Sequence, residues 1–332
     1  MPNVSEGRDA GTIEAIRDAL VGRDGGGGRG VAGENQGAAY WDRGAEGRGQ
    51  GAEGRGRGVA LLDVHSDADH HRSVFTLAGA PALVGEALVR GAREAVARID
   101  VMAEAQAGWM RGEHPHVGAL DVAPFVYLDR DTRGAACAQA LVLADRIGEE
   151  LEVPVFLYGE LGGERTRAQL RAGGAAGLAR RMAAGELRPD FGPPALHPRA
   201  GATLVAAREP LVAFNLHLAP PATVEDARRI AALIREAGAE GLPGVRAIGV
   251  RLRRMTDRGE EVEIAQVSTN VERPLEVPLA AVIERVRRHA RIADVELVGL
   301  APRAALEGIP GDVELAGFDP ARHVIENALG SR

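Results

Sequence analysis

Val245-Arg-Ala-Ile-Gly-Val-Arg-Leu-Arg-Arg-Met-Thr-Asp-Arg-Gly-Glu-Glu-Val-Glu-Ile-Ala-Gln-Val-Ser268 alternates apolar and polar residues on both sides of a turn-forming cluster. Period-two patterning around a glycine-containing turn predicts a β-hairpin, with strands over 245–253 and 262–268 joined across Asp257-Arg258-Gly259. Working upstream, a strand over 211–218 leads into a helix over 224–237. Downstream, a helix over 279–290 leads into a strand over 295–300. The second half of the chain thus reads β-α-β-β-α-β, the split βαβ order of ferredoxin-like folds.

The first half carries a related pattern. Ile13, Ile16, Ala19 and Leu20 fall at helical spacing behind a cap at Asp9. Strands are expected over 59–64, 72–77, 122–128 and 153–158, with helices over 81–102 and 134–151. This is the same order without its first strand. The expected fold class is α+β: two ferredoxin-like subdomains with a cleft between them, the N-terminal one lacking its first strand. The Pro189, Gly192, Pro193, Pro194 and Pro198 breakers put the division between about 179 and 203. The expected units are therefore 1–180, 181–310 and a C-terminal tail over 311–332. Residues 24–58 are foreign to this pattern: Gly44-Ala-Glu-Gly-Arg-Gly-Gln50 nearly repeats as Gly51-Ala-Glu-Gly-Arg-Gly-Arg57. So little apolar surface cannot offset ordering entropy, and a disordered surface insertion is expected there.

Composition removes whole classes of chemistry. All 40 basic residues among the 332 are Arg, which excludes lysine Schiff bases, Walker A loops and kinase-type sites. One cysteine, Cys137, leaves no internal disulfide and no cysteine-based metal centre. A net charge of −7 disfavours nucleic acid as the main partner. No apolar run reaches bilayer length and no leader pattern opens the chain, so a cytoplasmic protein is expected.

Proton transfer then falls to His, Asp, Glu or Tyr. Six of the nine histidines lie in three segments: His65, His70 and His71; His114 and His116; and His197. Gly112-Glu-His-Pro-His-Val-Gly-Ala-Leu-Asp121 joins a helix to a strand, with glycines and Pro115 suited to a tight, ligand-lining turn. His114 there is either a proton carrier with a near-neutral pKa or a simple turn cap. Asp63-Val-His-Ser-Asp-Ala-Asp-His-His-Arg72 lies between two strands. It reads as a metal site, as a polar loop facing His114, or as a strand cap at Asp63 with solvated histidines. No helix-borne His pair supports the metal reading. Gly162-Gly163 and Gly173-Gly174 read as breakers.

These segments resemble the glutamate formimidoyltransferase family, in order from Pro2 to about Leu306. The resemblance is carried by Pro2-Asn-Val-Ser-Glu-Gly-Arg8, Leu61-Leu-Asp-Val64, Arg72-Ser-Val-Phe-Thr76, Gly112-Glu-His-Pro115 and Gly118-Ala-Leu-Asp121. Val155-Phe-Leu-Tyr-Gly-Glu160, Pro189-Asp-Phe-Gly-Pro193, Gly201-Ala-Thr203, Ala213-Phe-Asn215, Gln266-Val-Ser-Thr-Asn270 and Leu297-Val-Gly-Leu300 continue it. The resemblance implies transfer of the formimino group of N-formimino-L-glutamate to N5 of tetrahydrofolate, in histidine degradation, by a homodimer. It places His114 as the general base. It puts folate along Gly192, Pro193, Pro194, Ala195, Leu196, His197, Pro198, Arg199, Ala200 and Gly201, and no metal in the site. Asp63, His65 and Asp121 are the polar candidates around the substrates, with Asp67 a further carboxylate. Arg72 is the candidate for the glutamate carboxylates, its fork suiting bidentate pairing.

The chain departs from the animal pattern in three places. Arg199-Ala200 replaces Ser-Trp, removing an aromatic and adding a charge; Asp63-Val-His65 replaces Asp-Val-Asp; and relatives carry a strand ahead of Pro-Asn-Val-Ser. Two other readings stand beside the transferase. One is a metal-assisted hydrolase of a formimino or amide compound, with His65, His71 and His114 as ligands. The other is a non-catalytic folate-binding relative.

Overall fold

The structure, a computed structural model, describes residues 1–22, 58–67, 71–106, 116–163, 165–255 and 261–330. His70, His114, the Gly-rich insertion up to residue 57 and the hairpin turn at Asp257-Arg258-Gly259 lie outside the described residues. The first layer is built in the order β1 (Asn3–Val4), α1 (Ala10–Val21), β2 (Ala60–Asp67), β3 (Arg72–Ala78), α2 (Pro81–Arg98), α3 (Val101–Gln106) and β4 (Leu120–Val126). It continues with α4 (Arg133–Glu150), β5 (Val155–Leu157), α5 (Arg167–Arg171), α6 (Gly174–Ala183) and β6 (Thr203–Arg208). The strands form one sheet in the order β2-β3-β1-β4-β6-β5.

The second layer follows as β7 (Val212–Leu218), α7 (Val224–Ile234), β8 (Val245–Met255), β9 (Glu261–Val271), α8 (Leu279–Arg287) and β10 (Ile292–Val298). Its sheet runs β10-β7-β9-β8, with each neighbouring pair antiparallel. The first four strands of the first sheet repeat that placement, fourth-first-third-second. β6 and β5 then extend it through parallel pairs.

Local chemistry starts and stops the helices. Asp9 caps α1 by accepting from Gly11 N at 3.0 Å, and Gly22 closes it in the left-handed region at φ 73°. Thr223 and Asp226 cap α7 reciprocally, a device worth about 1 kcal/mol. The single helix expected over 81–102 is two. Ile99 is extended and buried, and Asp100 Oδ1 accepts from Ala103 N at 3.0 Å to restart the chain as α3.

Two expectations about the fold are corrected. The N-terminal subdomain does have its first strand. Asn3–Val4 lies between β3 and β4, pairing with Val74 and Ser73 on one side and Val122 and Leu120 on the other. Two residues are too short for a strand pattern, yet Val4 is 1% exposed in the core. The division after residue 180 also shifts: Thr203–Arg208 belongs to the first sheet, held between β4 and β5. The Pro- and Gly-rich breakers interrupt the first layer without ending it. The expected tail includes α9 (Pro320–His323) and α10 (Ile325–Gly330), and it bridges back at Val295–Leu315 and Ala301–Val324.

The helices cover the sheets unequally. α1, α2 and α4 pack on one face of the first sheet around Ile16, Leu20, Phe75, Leu88, Leu143 and Ile147. α5 and α6 cover the other face only over β4, β5 and β6, through Leu170 and Leu178 on Phe156 and Leu204. The second sheet buries Phe214, Leu216 and Val267 beneath α7 and α8. Among the described residues no helix is long and apolar enough to cross a membrane.

At Gly249 the α7 backbone approaches so closely that a Cβ would lie 2.2 Å from Arg228 N. Gly249→Ala is therefore expected to lower unfolding stability by about 1–3 kcal/mol, measured by urea denaturation. An unchanged midpoint would show that this helix–sheet contact yields freely.

Candidate functional site

The β1-β3-β2 end of the first sheet, which α5 and α6 leave uncovered, carries the polar residues. Strand alternation and register put Asp63 opposite Thr76, His65 opposite Val74 and Asp67 opposite Arg72. These residues share the face opposite Val64 and Phe75, which join the helix-side core. β2 extends to Asp67, so Asp63 and His65 are strand residues rather than the loop and cap expected. Polar residues alternating with Leu61, Val64 and Phe75-facing positions complete a strand where composition suggested a turn. Asp63 is desolvated, which raises its pKa, while His65, then the Val64 backbone N–H, and then His323 and Arg322 oppose the rise. Its Oδ2 lies 3.7 Å from the Cβ position of Gly299, beside the second layer.

Asp121 sits apart from these strand residues and is 1% exposed. Its Oδ1 accepts from Val117 N at 2.8 Å, and its Oδ2 pairs with Arg171. His116 Nδ1 lies 3.9 Å from the same oxygen. Ser5 Oγ donates to Gly118 O at 2.7 Å and lies 2.9 Å from His116 Nδ1. A hydroxyl has one proton to give, so His116 donates from Nδ1 to Ser5. The segment directly after His114 is thus anchored at both a side chain and the backbone.

That segment packs on the candidate folate loop. Ala119 N donates to Ala200 O at 2.9 Å and Ala202 N to Val117 O at 2.9 Å. Gly201 has φ +69°, and a Cβ there would meet Val117 O at 2.2 Å, so only glycine fits. His197 closes the loop on itself by backbone pairing with Gly201, and its Nδ1 accepts from Ala200 N at 2.9 Å and Arg199 N at 3.2 Å. Arg199 pairs with Asp100 at 3.2 Å. Gly192, Pro194, Ala195, Pro198 and Arg199 are exposed, Pro193 and Leu196 half-buried, and Ala200 buried.

The structure therefore brings Asp63, His65 and Arg72 onto one strand pair, and joins Asp121 to the 192–201 loop through residues 117–119. Arg72 links the groups electrostatically, lying near Asp67, Arg171 and Asp121. His71 stands between Glu6 and Glu104 at 3.6 and 3.5 Å. Among the described residues no group of three or more His, Cys, Asp or Glu side chains could hold a metal.

Sequence reasoning missed several participants. Arg171 lies in a short Arg-rich helix that reads as solvated surface, and no local signal marks it. His217 had a signal: Ala213, Asn215 and His217 alternate with core residues of β7. Across the second sheet His217 Nδ1 meets Asp294 Oδ1 at 2.5 Å and Nε2 meets Gln266 Oε1 at 2.9 Å. A parallel row joins Glu296, Asn215 and Ser268 at 2.9 and 2.8 Å.

Comparison with known proteins covers nearly the whole chain. A family model described as the formiminotransferase domain, N-terminal subdomain, matches residues 1–208, and one described as the formiminotransferase domain matches 213–308. The chain is 36% identical over 280 residues to a glutamate formimidoyltransferase of Streptococcus pyogenes serotype M1, covering 82% of this chain and 89% of that protein. It is 31% identical over 331 residues to a glutamate formimidoyltransferase of Thermoplasma acidophilum, covering 96% and 93%. It is 40% identical to the formimidoyltransferase-cyclodeaminase of Gallus gallus, over 74% of this chain and 45% of that longer protein.

His197 sets a pH dependence. Burial first, then the Arg199 guanidinium, holds its pKa below the ordinary 6.5. As pH falls through 6.5 the folded chain takes up fewer protons than the unfolded chain. The stability contributed is therefore full above that value and is lost as pH falls through the lower folded-state value. Melting temperature followed from about pH 8 to about pH 5 should fall more steeply in the parent than in His197→Asn, which keeps an acceptor without a titrating ring. Superimposable curves would remove His197 as the cause.

Proposed function

The chain belongs to the formiminotransferase domain family, and from that premise we propose that it transfers the formimino group of N-formimino-L-glutamate to N5 of tetrahydrofolate, releasing glutamate. The observation that carries this reading to particular residues is the backbone contact between 117–119 and 200–202. It ties the segment following His114 to the candidate folate loop, as a reaction between a bound folate and an acid–base histidine requires.

In the proposed mechanism N5 of the folate attacks the formimino carbon while His114 takes the N5 proton. The new C–N bond gives a tetrahedral intermediate. Its bond to the glutamate nitrogen then breaks, the electron pair leaves with that nitrogen, and the imidazolium returns the proton so that glutamate departs as an amine. Asp63 and His65 line the polar strand face beside the amidine-like donor, and Arg72 takes a glutamate carboxylate. Asp121 acts through its hold on Val117, orienting the segment that carries the base. Residues 192–201 contact the folate, with Arg199 available to its glutamate tail. Holding both substrates together supplies orientation, a large share of such rate enhancements. The same reading makes the protein a cytoplasmic homodimer of histidine degradation.

Incubating purified protein with N-formimino-L-glutamate and tetrahydrofolate should yield formimino-folate and glutamate. His114→Ala should slow turnover by about 100- to 10,000-fold with little change in either KM. Full activity in the variant would overturn the base assignment. No turnover by the folded parent would move the weight to a folate-binding relative or another substrate.

A further inference from the structure

Four guanidinium groups lie along the face of the first sheet that bears α5, from β3 to β6, and three of them hold buried Nε donors with no partner among the described residues. Arg72 stands on β3 opposite Asp67. Arg171 ends α5 and pairs with Asp121. Arg167 begins α5, lies 6.0 Å from the Tyr158 ring centre and reaches Glu272 of the second sheet at 3.5 Å. Arg208 ends β6 and lies near Tyr158, Arg167 and Glu272. The Nε atoms of Arg72, Arg171 and Arg208 are buried and have no hydrogen-bond partner among the described residues, while Arg208 Nη1 donates to Glu209 O at 2.8 Å.

A buried donor without an acceptor bears the whole cost of leaving water. Here the cost is compounded by like charge. Burial is the largest cause lowering the pKa of Arg72 and of Arg208, and neighbouring guanidiniums add to it: Arg171 and Arg167 for the first, Arg167 for the second. The carboxylates at hand are already engaged. Asp121 serves the Val117 amide and Arg171, and Glu272 is shared by Arg167 and Arg246. Guanidiniums gathered this way, with Nε edges unused among the described residues, offer donors to acceptors from outside. An Nε edge with a neighbouring Nη forms a side-on fork that matches the two oxygens of a carboxylate; at Arg171 that Nη2 already serves Asp121, and Nε remains.

We propose that Arg72, Arg171, Arg167 and Arg208 form a dicarboxylate-binding row that takes the glutamate moiety of a substrate, its carboxylates supplying the acceptors that the buried Nε donors lack. Both substrates of the proposed reaction carry this moiety, the donor as its body and the folate as its tail. The inference rests on the transferase reading only for the name of the ligand; the preference for a dicarboxylate follows from the donors themselves. Arg171, Arg167 and Arg208 are thereby specificity-determining residues alongside Arg72.

Calorimetric titration with glutarate, an unreactive dicarboxylate, tests the row without any turnover. The parent should bind glutarate at least tenfold more tightly than butyrate. Arg208→Gln and Arg167→Gln should each weaken glutarate binding by about 10- to 100-fold, at unchanged melting temperature. Should Arg208→Gln fail to fold, Arg208→Lys retains the charge without the fork and should still lose about tenfold. Steady-state kinetics then identify the source. A raised KM for N-formimino-L-glutamate, with glutarate competing against it, assigns the row to the donor; a raised KM for tetrahydrofolate assigns it to the tail. Equal binding of glutarate and butyrate by the parent, or undiminished glutarate binding in folded variants, overturns the proposal. An inactive parent that still binds glutarate supports the row while counting against the transferase reading.

Discussion

Asp121 is a carboxylate almost wholly removed from water, and the geometry around the candidate site follows from how its charge is satisfied. A buried anion is tolerated only when its oxygens are hydrogen-bonded or paired. One oxygen accepts the Val117 amide, and the other takes Arg171 from α5. The first contact shapes the segment that leaves the histidine-bearing loop, and the second ties a helix from later in the chain to the start of β4. Through Val117 the same carboxylate reaches Ala202 and hence the 192–201 loop. Replacing Arg171 would leave the charge unpaired, so pairing and fold are inseparable at this point.

The two layers share a strand order but differ in what covers the face away from the main helices. In the first, α5 and α6 fill only the β4-β6-β5 end, above Phe156 and Leu204. The β1-β3-β2 end keeps its polar rows, and the arginines of α5 stand at the border between covered and uncovered strands. In the second layer the equivalent face holds hydrogen-bonded rows centred on His217 and Asn215. Those rows satisfy one another across strands, whereas the arginine donors of the first layer do not. The asymmetry separates a face whose polar rows satisfy one another from one whose buried Nε donors have no partner among the described residues.

Much of the fold was legible in the residues. Alternation around 245–268 marked the hairpin, Asp9 marked the start of α1, and the β-α-β-β-α-β order of the second half stands in the strand pairings. β1 was not legible, because two residues carry no period and their strand character comes from neighbours on both sides. β6 was hidden by the prolines before it: breakers report where regular structure stops, not which sheet the chain rejoins. The extension of β2 through Asp67 was obscured because His, Ser and Asp are common turn residues. Only Ser73 and Arg72 across the ladder make that segment a strand.

Taken alone, the sequence determined the chemistry on offer: arginine as the sole cationic side chain apart from histidine, one thiol, histidines concentrated in a few segments, and apolar periodicities that build two α+β layers. These are local properties, readable because periodicity and side-chain type act over a few residues. The tertiary structure decided which polar groups meet. Asp121 with Arg171, Ser5 with His116, and Arg167 with Arg72 on one side and Arg208 on the other are separated by tens of residues or more. Their burial and electrostatics arise only when the sheet brings distant strands to one face. Charge in a desolvated site depends on what surrounds it in space, and no local pattern encodes that neighbourhood.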